Sequence, residues 1–222
     1  PAPAPAPPPA PAPATNGLVA SFGFNETSGQ TIVDASPSAN NGTVSGAARS
    51  SAGKHERALS FDGVNDYASV PDATPLDLTR AMTLEAWVYP TSGGNRWRTA
   101  VLKETVGGLA YALYAFDDQG HPAGVLNTGT ELIANGSSAL ALKRWSHIST
   151  TWDGTTQRLY VNGALITSRP ASSSLLTSGR PLKIGGNAVW GTEFFKGMID
   201  DVRVYDRMLS ASEINADMNT SA

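Results

Sequence analysis

Apolar and polar residues alternate with a period of two along most of this chain, and turn-forming residues recur about every ten positions. Successive side chains of a β-strand point to opposite faces of a sheet, so this period is typical of half-buried strands. In segment 82–89, Leu84 and Val88 share one face, whereas Glu85 and Trp87 share the other. Large side chains on both faces indicate a central strand between two layers. The alternation predicts an all-β fold.

The composition also favours many short strands joined by tight turns. The chain has 222 residues with 22 glycines, and only 16% of the residues are charged. Helical signals occur only near the C-terminus, where Ser210 can cap a helix that has Glu213 three residues later, so we predict a short helix over 210–218. The predicted strand segments are 18–24, 82–89, 99–103, 109–116, 122–127, 145–152, 182–185 and 197–205, and segments 58–70 and 157–167 are predicted as hairpins.

The first fourteen residues consist only of proline and alanine and hold more than half of the 15 prolines. Proline fixes its own φ and pushes the preceding residue toward extended geometry, so the segment favours polyproline II and acts as a spacer. We predict an interdomain linker at 1–16 and one domain at 17–222. A spacer implies a partner, and we expect a covalently linked catalytic domain upstream of it.

Charge and cysteine content exclude several classes of function. The net charge of −3 and the absence of a Lys/Arg cluster argue against nucleic acid and anionic membranes as partners. The chain has no cysteine, which excludes disulfides and thiolate chemistry. No apolar stretch is long enough to insert into a membrane, and the N-terminus lacks signal-peptide features, so we expect any export signal upstream and a secreted or cell-surface location.

Three groups of motifs occur in a recognisable order. They are LSFDGVNDY at 59–67 with MTLEAWVYP at 82–90, WSHI at 145–148 with TWDG at 151–154 and LYVNG at 159–163, and GMIDDVRVYDRMLS at 197–210. In order and spacing the chain resembles the laminin G-like, concanavalin A-like jelly-roll family found in bacterial modular secreted proteins. The resemblance implies an antiparallel β-sandwich of two sheets, one of them concave, with a short C-terminal helix.

The same resemblance implies several functions. Many relatives hold carbohydrate on the concave face or its rim loops and contain structural calcium, other relatives bind proteins, and a few related enzymes cut polysaccharides. The fold hosts all of these activities, so the choice among them depends on the sites.

Calcium prefers six to eight hard oxygen ligands, which loops and strand ends supply. Asp34 and Asn41 lie in the polar segment 25–41, and Asp200 begins the last strand, where burial of an unpaired carboxylate would be costly without a cation. We predict Asp34, Asn41 and Asp200 as calcium ligands, with Asp62 as a weaker candidate. The alternative is that these side chains only cap turns.

Sugar binding requires an aromatic plate beside hydrogen-bonding groups. Trp97 and Trp190 lie in glycine-rich, loop-like segments, where exposed aromatic residues favour binding. The alternative is that either tryptophan folds over the core as a lid. Arg96 and Arg98 could select an acidic glycan or pair with Glu193, and the sequence leaves both open. The predicted ligand-binding residues are Trp97, Arg98, Tyr111, Tyr114, Asn187 and Trp190.

The sequence shows no clear pattern of catalytic residues. Jelly-roll glycosidases place paired carboxylates on one strand about 5 Å apart, and Glu85 has no such partner two or four places away. A lyase could use His147 with Tyr111 or Tyr114, but a structural role for the histidine is favoured. We therefore predict no catalytic residues.

The sequence thus favours a monomeric, non-catalytic carbohydrate-binding module that is stabilised by calcium and tethers a secreted enzyme to a polysaccharide or oligosaccharide. The alternatives are a protein-binding or adhesive laminin G-like domain, and a polysaccharide lyase or glycoside hydrolase of jelly-roll fold. The sequence does not name the sugar or the neighbouring domain.

Overall fold

The structure, a computed structural model, describes residues 16–222. Two eight-stranded antiparallel sheets pack face to face, and one short helix lies near the C-terminus. The predicted all-β sandwich with a C-terminal helix is confirmed. The predicted linker lies outside the described residues except for Asn16.

The strands in chain order are β1 (Leu18–Phe22), β2 (Thr31–Ile32), β3 (Gly42–Ser45), β4 (Ala48–Ser50), β5 (Ala58–Asp62), β6 (Tyr67–Val70), β7 (Met82–Pro90), β8 (Arg98–Thr105), β9 (Gly108–Phe116), β10 (Ala123–Asn127), β11 (Glu131–Asn135), β12 (Ser146–Trp152), β13 (Thr156–Val161), β14 (Ala164–Pro170), β15 (Leu182–Ile184) and β16 (Lys196–Tyr205). The first sheet, sheet I, has the order β14-β13-β12-β7-β16-β5-β4, with β1 paired to β16. Sheet II has the order β11-β10-β9-β8-β15-β6-β3-β2.

The core lies between the sheets and follows the alternation in the sequence. Leu84 and Val88 of β7, Ile148 and Trp152 of β12, and Leu113 of β9 all belong to it and are almost completely buried. Burial of each large apolar side chain stabilises the fold by about 1.5–3 kcal/mol relative to exposure. The predicted central strand is β7, which pairs with β12 on one side and β16 on the other.

The helix α1 (Ala211–Asp217) begins where the capping signal predicts. The Ser210 hydroxyl accepts from the Glu213 backbone N–H at 3.3 Å, and the Glu213 carboxylate accepts from the Ser210 N–H at 2.8 Å. Ile214 packs with Tyr160 and Tyr205, so the helix covers the face of sheet I that points away from the core.

Four strands were not predicted: β2, β3, β4 and β11. They have two to five residues each, too few for a period of two to be distinguished from loop sequence. Two of them, β2 and β11, form the edges of sheet II. No helix in the described part of the chain is long and apolar enough to cross a membrane.

Candidate functional site

The face of sheet II that points away from the core carries its own apolar cluster. Its buried members are Leu102, Leu109, Ala112, Tyr114, Ala123 and Val125, and the partly buried Trp97, Ile133 and Trp190 pack against them. A cavity of about 340 Å³ opens on this cluster. We call it the aromatic groove, and its lining residues are Trp97, Leu109, Tyr114, Val125, Glu131, Trp190 and Glu193.

The two loop tryptophans meet at this groove from different parts of the chain. Trp97 directly precedes β8, and its ring lies edge-on to the Tyr114 ring with centroids 4.7 Å apart. Trp190 comes from the loop between β15 and β16. Both pack on the separate outer cluster and stay partly exposed, so neither is a lid over the inter-sheet core.

Asn187 fixes the loop that carries Trp190. Its Oδ1 accepts from the backbone N–H groups of Val189 at 3.1 Å and Trp190 at 2.8 Å. Its Nδ2 donates to Thr99 Oγ1 at 3.0 Å and to Glu193 Oε2 at 2.9 Å. With these bonds satisfied and only 1% of its surface exposed, Asn187 positions the groove wall from beneath.

Glu193 is the groove's buried carboxylate. Its Oε2 also accepts from the Tyr114 hydroxyl at 3.1 Å. Burial raises the pKa of Glu193, although the hydrogen bonds from Asn187 and Tyr114 oppose this rise. Burial and the Glu193 carboxylate raise the pKa of Tyr114 well above its ordinary value, so the phenol stays a neutral donor. Sequence reasoning considered Glu193 only as an arginine partner and missed Glu131.

Arg98 supports the rim of the groove. Its Nη1 donates to the backbone carbonyl of Thr192 at 2.7 Å. Desolvation, followed by the charge of Arg96, lowers the pKa of Arg98, and Glu193 opposes this. Among residues 16–222 no ion pair within 4.0 Å joins Arg98 to Glu193.

Tyr111 does not lie at the groove. Its side chain is buried in the core between the sheets, where its hydroxyl donates to the backbone carbonyl of Leu76 at 2.8 Å. The sequence contained the reason, since Tyr111 and Tyr114 are three positions apart and an odd spacing places strand residues on opposite faces. The prediction of Tyr111 as a supporting ligand residue is therefore wrong in its placement.

Asp34 and Asn41 organise the loop before β3. The Asp34 carboxylate accepts from the backbone N–H groups of Ser21, Ser36 and Asn40, each at 2.9 Å. Asn41 Oδ1 accepts from the Asp34 N–H at 2.9 Å. These bonds pin the loop to β1 and match the turn-capping alternative.

Asp62 also caps a turn. Its Oδ1 accepts from the Val64 N–H at 2.8 Å, while Asp66 Oδ2 accepts from the Asp62 N–H at 2.8 Å. The exposed Asp62 ends β5 and begins the connection to β6. These two strands belong to different sheets, so the hairpin predicted at 58–70 does not form.

Asp200 has a different environment. It is fully buried, with Oδ2 accepting from the His55 N–H at 2.9 Å and Oδ1 from the Asp201 N–H at 2.8 Å. Burial, followed by the Asp201 charge, raises the pKa of Asp200 to about 7. Asp201 has a φ of 45° at an irregularity of β16, and its buried Oδ2 has no hydrogen-bond partner in the described structure.

The four predicted calcium ligands thus occupy three separate networks. Within residues 16–222 no three His, Asp or Glu side chains are grouped to hold a metal ion. The set Asp34, Asn41, Asp62 and Asp200 does not fit a common calcium ion. Asp200 alone keeps the property that the prediction required, because it is a buried carboxylate beside a second one, Asp201. Asp201 Oδ2 accepts no hydrogen bond among the described residues and lies 3.7 Å from His55 Nε2.

The histidine of the lyase alternative lies in sheet I, away from the aromatic groove. His147 is fully buried on β12, neither ring nitrogen has a partner among the described residues, and its ring is 5.3 Å from that of Trp87. Burial lowers the pKa of His147 to about 3. His147 lies beside Trp87 on the face of sheet I that points away from the core, and Tyr114 lies on the outer face of sheet II, so the sandwich separates them. The Tyr111 hydroxyl donates to the Leu76 carbonyl inside the core.

Comparison with known families identifies the superfamily of this chain. The family model described as the concanavalin A-like lectin/glucanases superfamily, of the laminin G type, matches residues 62–215, which is more than half of the chain. The chain belongs to this superfamily. Its motifs at both ends of that range, FDG and GMIDDVRVY, are among those on which the resemblance was based.

Solved structures share the superfamily's fold with this chain. Domain 4 of AbnA, a GH43 extracellular arabinanase from Geobacillus stearothermophilus solved in complex with arabinotriose, matches with a TM-score of 0.76 and 18% identity over 91% of this chain and 98% of that one. The binding domain of Paraclostridial mosquitocidal protein 1 matches with a TM-score of 0.72 and 18% identity, over 92% of this chain and 52% of that one.

A Trypanosoma rangeli sialidase, in complex with 2,3-difluorosialic acid, matches with a TM-score of 0.69 and 19% identity, over 94% of this chain and 34% of that one. At these identities the matches show the fold alone. No curated protein sequence matches the chain.

Proposed function

We propose that this chain is a non-catalytic carbohydrate-binding module that takes a polysaccharide or oligosaccharide at the aromatic groove. The observation that carries the proposal is the meeting of Trp97, Tyr114 and Trp190 on one outer face, at a cavity of about 340 Å³. Most of the surface of a small ligand is buried in a cleft of this size, roughly 300–1,000 Å³.

The chemistry of the groove suits a sugar ring. Aromatic side chains provide large rigid apolar surfaces against which the C–H face of a sugar can stack. A carboxylate such as Glu193 is a strong acceptor for sugar hydroxyls, because hydrogen bonds to a charged group are shorter and stronger than neutral ones. Asn187 holds the Trp190 loop in place before a ligand arrives, which lowers the entropic cost of binding.

The arabinanase domain supports this proposal, because a domain of the same size and fold was solved with arabinotriose. The names of the mosquitocidal protein and the sialidase support no choice of ligand, since the chain covers only about half of the first protein and a third of the second.

The proposal also gives a role to segment 1–16, as a linker to a catalytic domain of a secreted or cell-surface enzyme. A tethered module raises the effective concentration of its enzyme at the polymer without changing the chemistry. The module acts as a monomer, since one groove on one chain suffices for this role.

Calcium belongs to the proposal only at Asp200, with Asp201 as the neighbouring carboxylate. A bound cation there would neutralise two buried carboxylates and connect β16 to the segment around His55. Asp34, Asn41 and Asp62 are not part of this proposed site.

The experiment that tests the function is a binding screen of the full chain against immobilised polysaccharides and a glycan array, with a parallel assay for soluble sugar products. We expect binding to at least one polymer and no release of reducing ends or unsaturated products. Product release would contradict the non-catalytic proposal. A blank array together with a specific, saturable protein ligand would support the adhesive alternative instead.

A further inference from the structure

The charges that line the aromatic groove are negative. Glu131 and Glu193 are the two carboxylates among its lining residues, and within residues 16–222 no lysine or arginine lines it. The nearby Arg98 donates to the backbone carbonyl of Thr192 on the rim, and Arg96 lies exposed in the preceding loop.

The two carboxylates act on each other and on the groove. The Glu131 charge contributes to raising the pKa of Glu193, after the larger effect of burial, whereas the smaller effect of the Arg98 charge lowers it. Glu131 also contributes to raising the pKa of Tyr114, after burial and Glu193. Glu193 has only 9% of its surface exposed, and its Oε2 is held by Tyr114 and Asn187. Among the described residues no donor is recorded on Oε1, so that oxygen remains an acceptor in the groove wall.

We propose that the aromatic groove selects its sugar by charge, accepting units that present hydroxyl donors and carry no carboxylate, and excluding uronic acids. This inference rests on the proposed carbohydrate function and deepens it. Under this proposal Arg98 does not select an acidic glycan, because its guanidinium donates to the Thr192 backbone carbonyl and the charged side chains that line the groove are acidic.

The physical reason is an unpaired like charge. A uronate stacked on Trp97 or Trp190 would place its carboxylate near Glu131 and Glu193, and none of the described residues that line the groove is a lysine or an arginine. Like charges opposed at a partly desolvated interface penalise the wrong ligand, by a factor of about ten or more in affinity. A neutral sugar instead donates hydroxyl hydrogens to the same carboxylates.

The test uses one polymer in two charge states. The neutral polysaccharide that binds most tightly in the screen is compared with the same polymer after oxidation of its primary hydroxyls to carboxylates. Isothermal titration calorimetry with the full chain measures both affinities in buffer of about 0.05 M ionic strength, where screening is weak. We expect the oxidised polymer to bind the wild type at least about tenfold more weakly.

Two variants separate charge from shape. Glu131→Gln and Glu193→Gln remove a charge each while keeping the length of the side chain, so we expect the ratio of the two affinities to fall in both. An unchanged ratio in both variants would overturn the inference, because the discrimination would then lie elsewhere. Equal or tighter binding of the oxidised polymer to the wild type would also overturn it.

These results are distinguishable from failure of the proposed function. If Trp190→Ala abolishes binding of both polymers and the wild type binds them equally, the groove is a carbohydrate site without charge selection, and only the inference fails. If no neutral or anionic polysaccharide binds, or if binding is the same in a folded Trp190→Ala variant, the proposed function itself fails.

Discussion

Asn187 illustrates how one buried side chain can shape a groove that it does not line. Its amide bonds the backbone of the Trp190 loop through Oδ1 and the Glu193 carboxylate through Nδ2. A satisfied buried amide of this kind is specific, because losing either partner leaves a polar group without compensation, at a cost of about 1–3 kcal/mol. The residue was predicted from sequence as a ligand contact, and its place in the structure assigns it to positioning.

Residue-scale predictability depended on the distance between partners in sequence. Trp97 and Trp190 were predicted as loop residues because glycine-rich context is a local signal, whereas Tyr114 was named together with Tyr111 from the topology that the resemblance implies. Glu193 gains its role from Tyr114, which is 79 positions away, and no local pattern encodes that contact.

Two buried titratable residues of sheet I have opposite effects on stability as the pH changes. His147 has a pKa of about 3 in the folded protein and its usual pKa of 6.5 in the unfolded chain. Its contribution to the free energy of unfolding therefore falls as the pH decreases from 6.5 to about 3. Burial, and then the Asp217 charge, raises the pKa of Glu85 well above 4.5. The contribution of Glu85 to the free energy of unfolding is therefore full below pH 4.5 and is lost as the pH rises toward the pKa of Glu85 in the folded state.

We expect His147→Gln to reduce the loss of unfolding free energy on acidification, by up to about 1.4 kcal/mol per pH unit within that window. Glu85→Gln should change the pH slope in the opposite direction, which makes it the matched control. Urea unfolding of both variants and the wild type between about pH 4 and pH 7 measures the slopes. Parallel pH curves for the His147 variant and the wild type would contradict the assignment of a buried neutral histidine.

At the scale of elements, the end of β15 positions the Trp190 loop through a backbone conformation that requires glycine. Gly185 has a φ of 79°, and a Cβ there would lie 2.1 Å from the ring of Phe61. Gly107, in the turn between β8 and β9, has a φ of 74° but no atom within 4 Å of an added Cβ. The two positions therefore share the strained φ and differ in packing.

We expect Gly107→Ala to lower the free energy of unfolding by about 1–2 kcal/mol, the cost of a left-handed conformation for an alanine. Gly185→Ala should lower the free energy of unfolding by about 1–3 kcal/mol more than Gly107→Ala does, because the Phe61 ring must move. Chemical denaturation of both variants measures the difference. Equal losses would show that the Phe61 contact is unimportant.

The predictability of the elements followed their length only in part, since the three-residue β15 was predicted and the five-residue β11 was not. The long strands β7, β9, β12 and β16 were predicted within a few residues, since their alternation continues over several periods. The short strands β2, β3 and β4 exist because neighbouring strands offer them hydrogen bonds, which is a tertiary effect.

At the scale of the whole molecule, different structural elements cover the outer faces of the two sheets. The helix α1 packs on sheet I, whereas the outer face of sheet II carries the partly exposed tryptophans. The resemblance predicted the two sheets and a binding face on one of them. It did not predict which charges line that face, because that depends on where Glu131 and Glu193 end in three dimensions.

The proposed cation at Asp200 would bind only the folded chain, so its removal should lower stability. We expect a chelator to lower the melting temperature by roughly 5–10 °C relative to saturating calcium, and added calcium to restore it. Asp200→Asn is the control, because its melting temperature should no longer respond to either addition. A wild-type melting temperature that is unchanged by chelator and calcium would contradict the proposed cation site at Asp200.

The central claim is that the aromatic groove of sheet II is the sugar-binding surface, and calorimetric titration of two tryptophan variants tests it most directly. Trp190 lines the groove, whereas the partly exposed Trp145 packs against Tyr89 in sheet I and serves as the matched control. We expect Trp190→Ala to weaken binding of the polysaccharide identified in the screen at least about tenfold, with Trp145→Ala close to wild type and both variants folded. Wild-type affinity in a folded Trp190→Ala variant would contradict the claim.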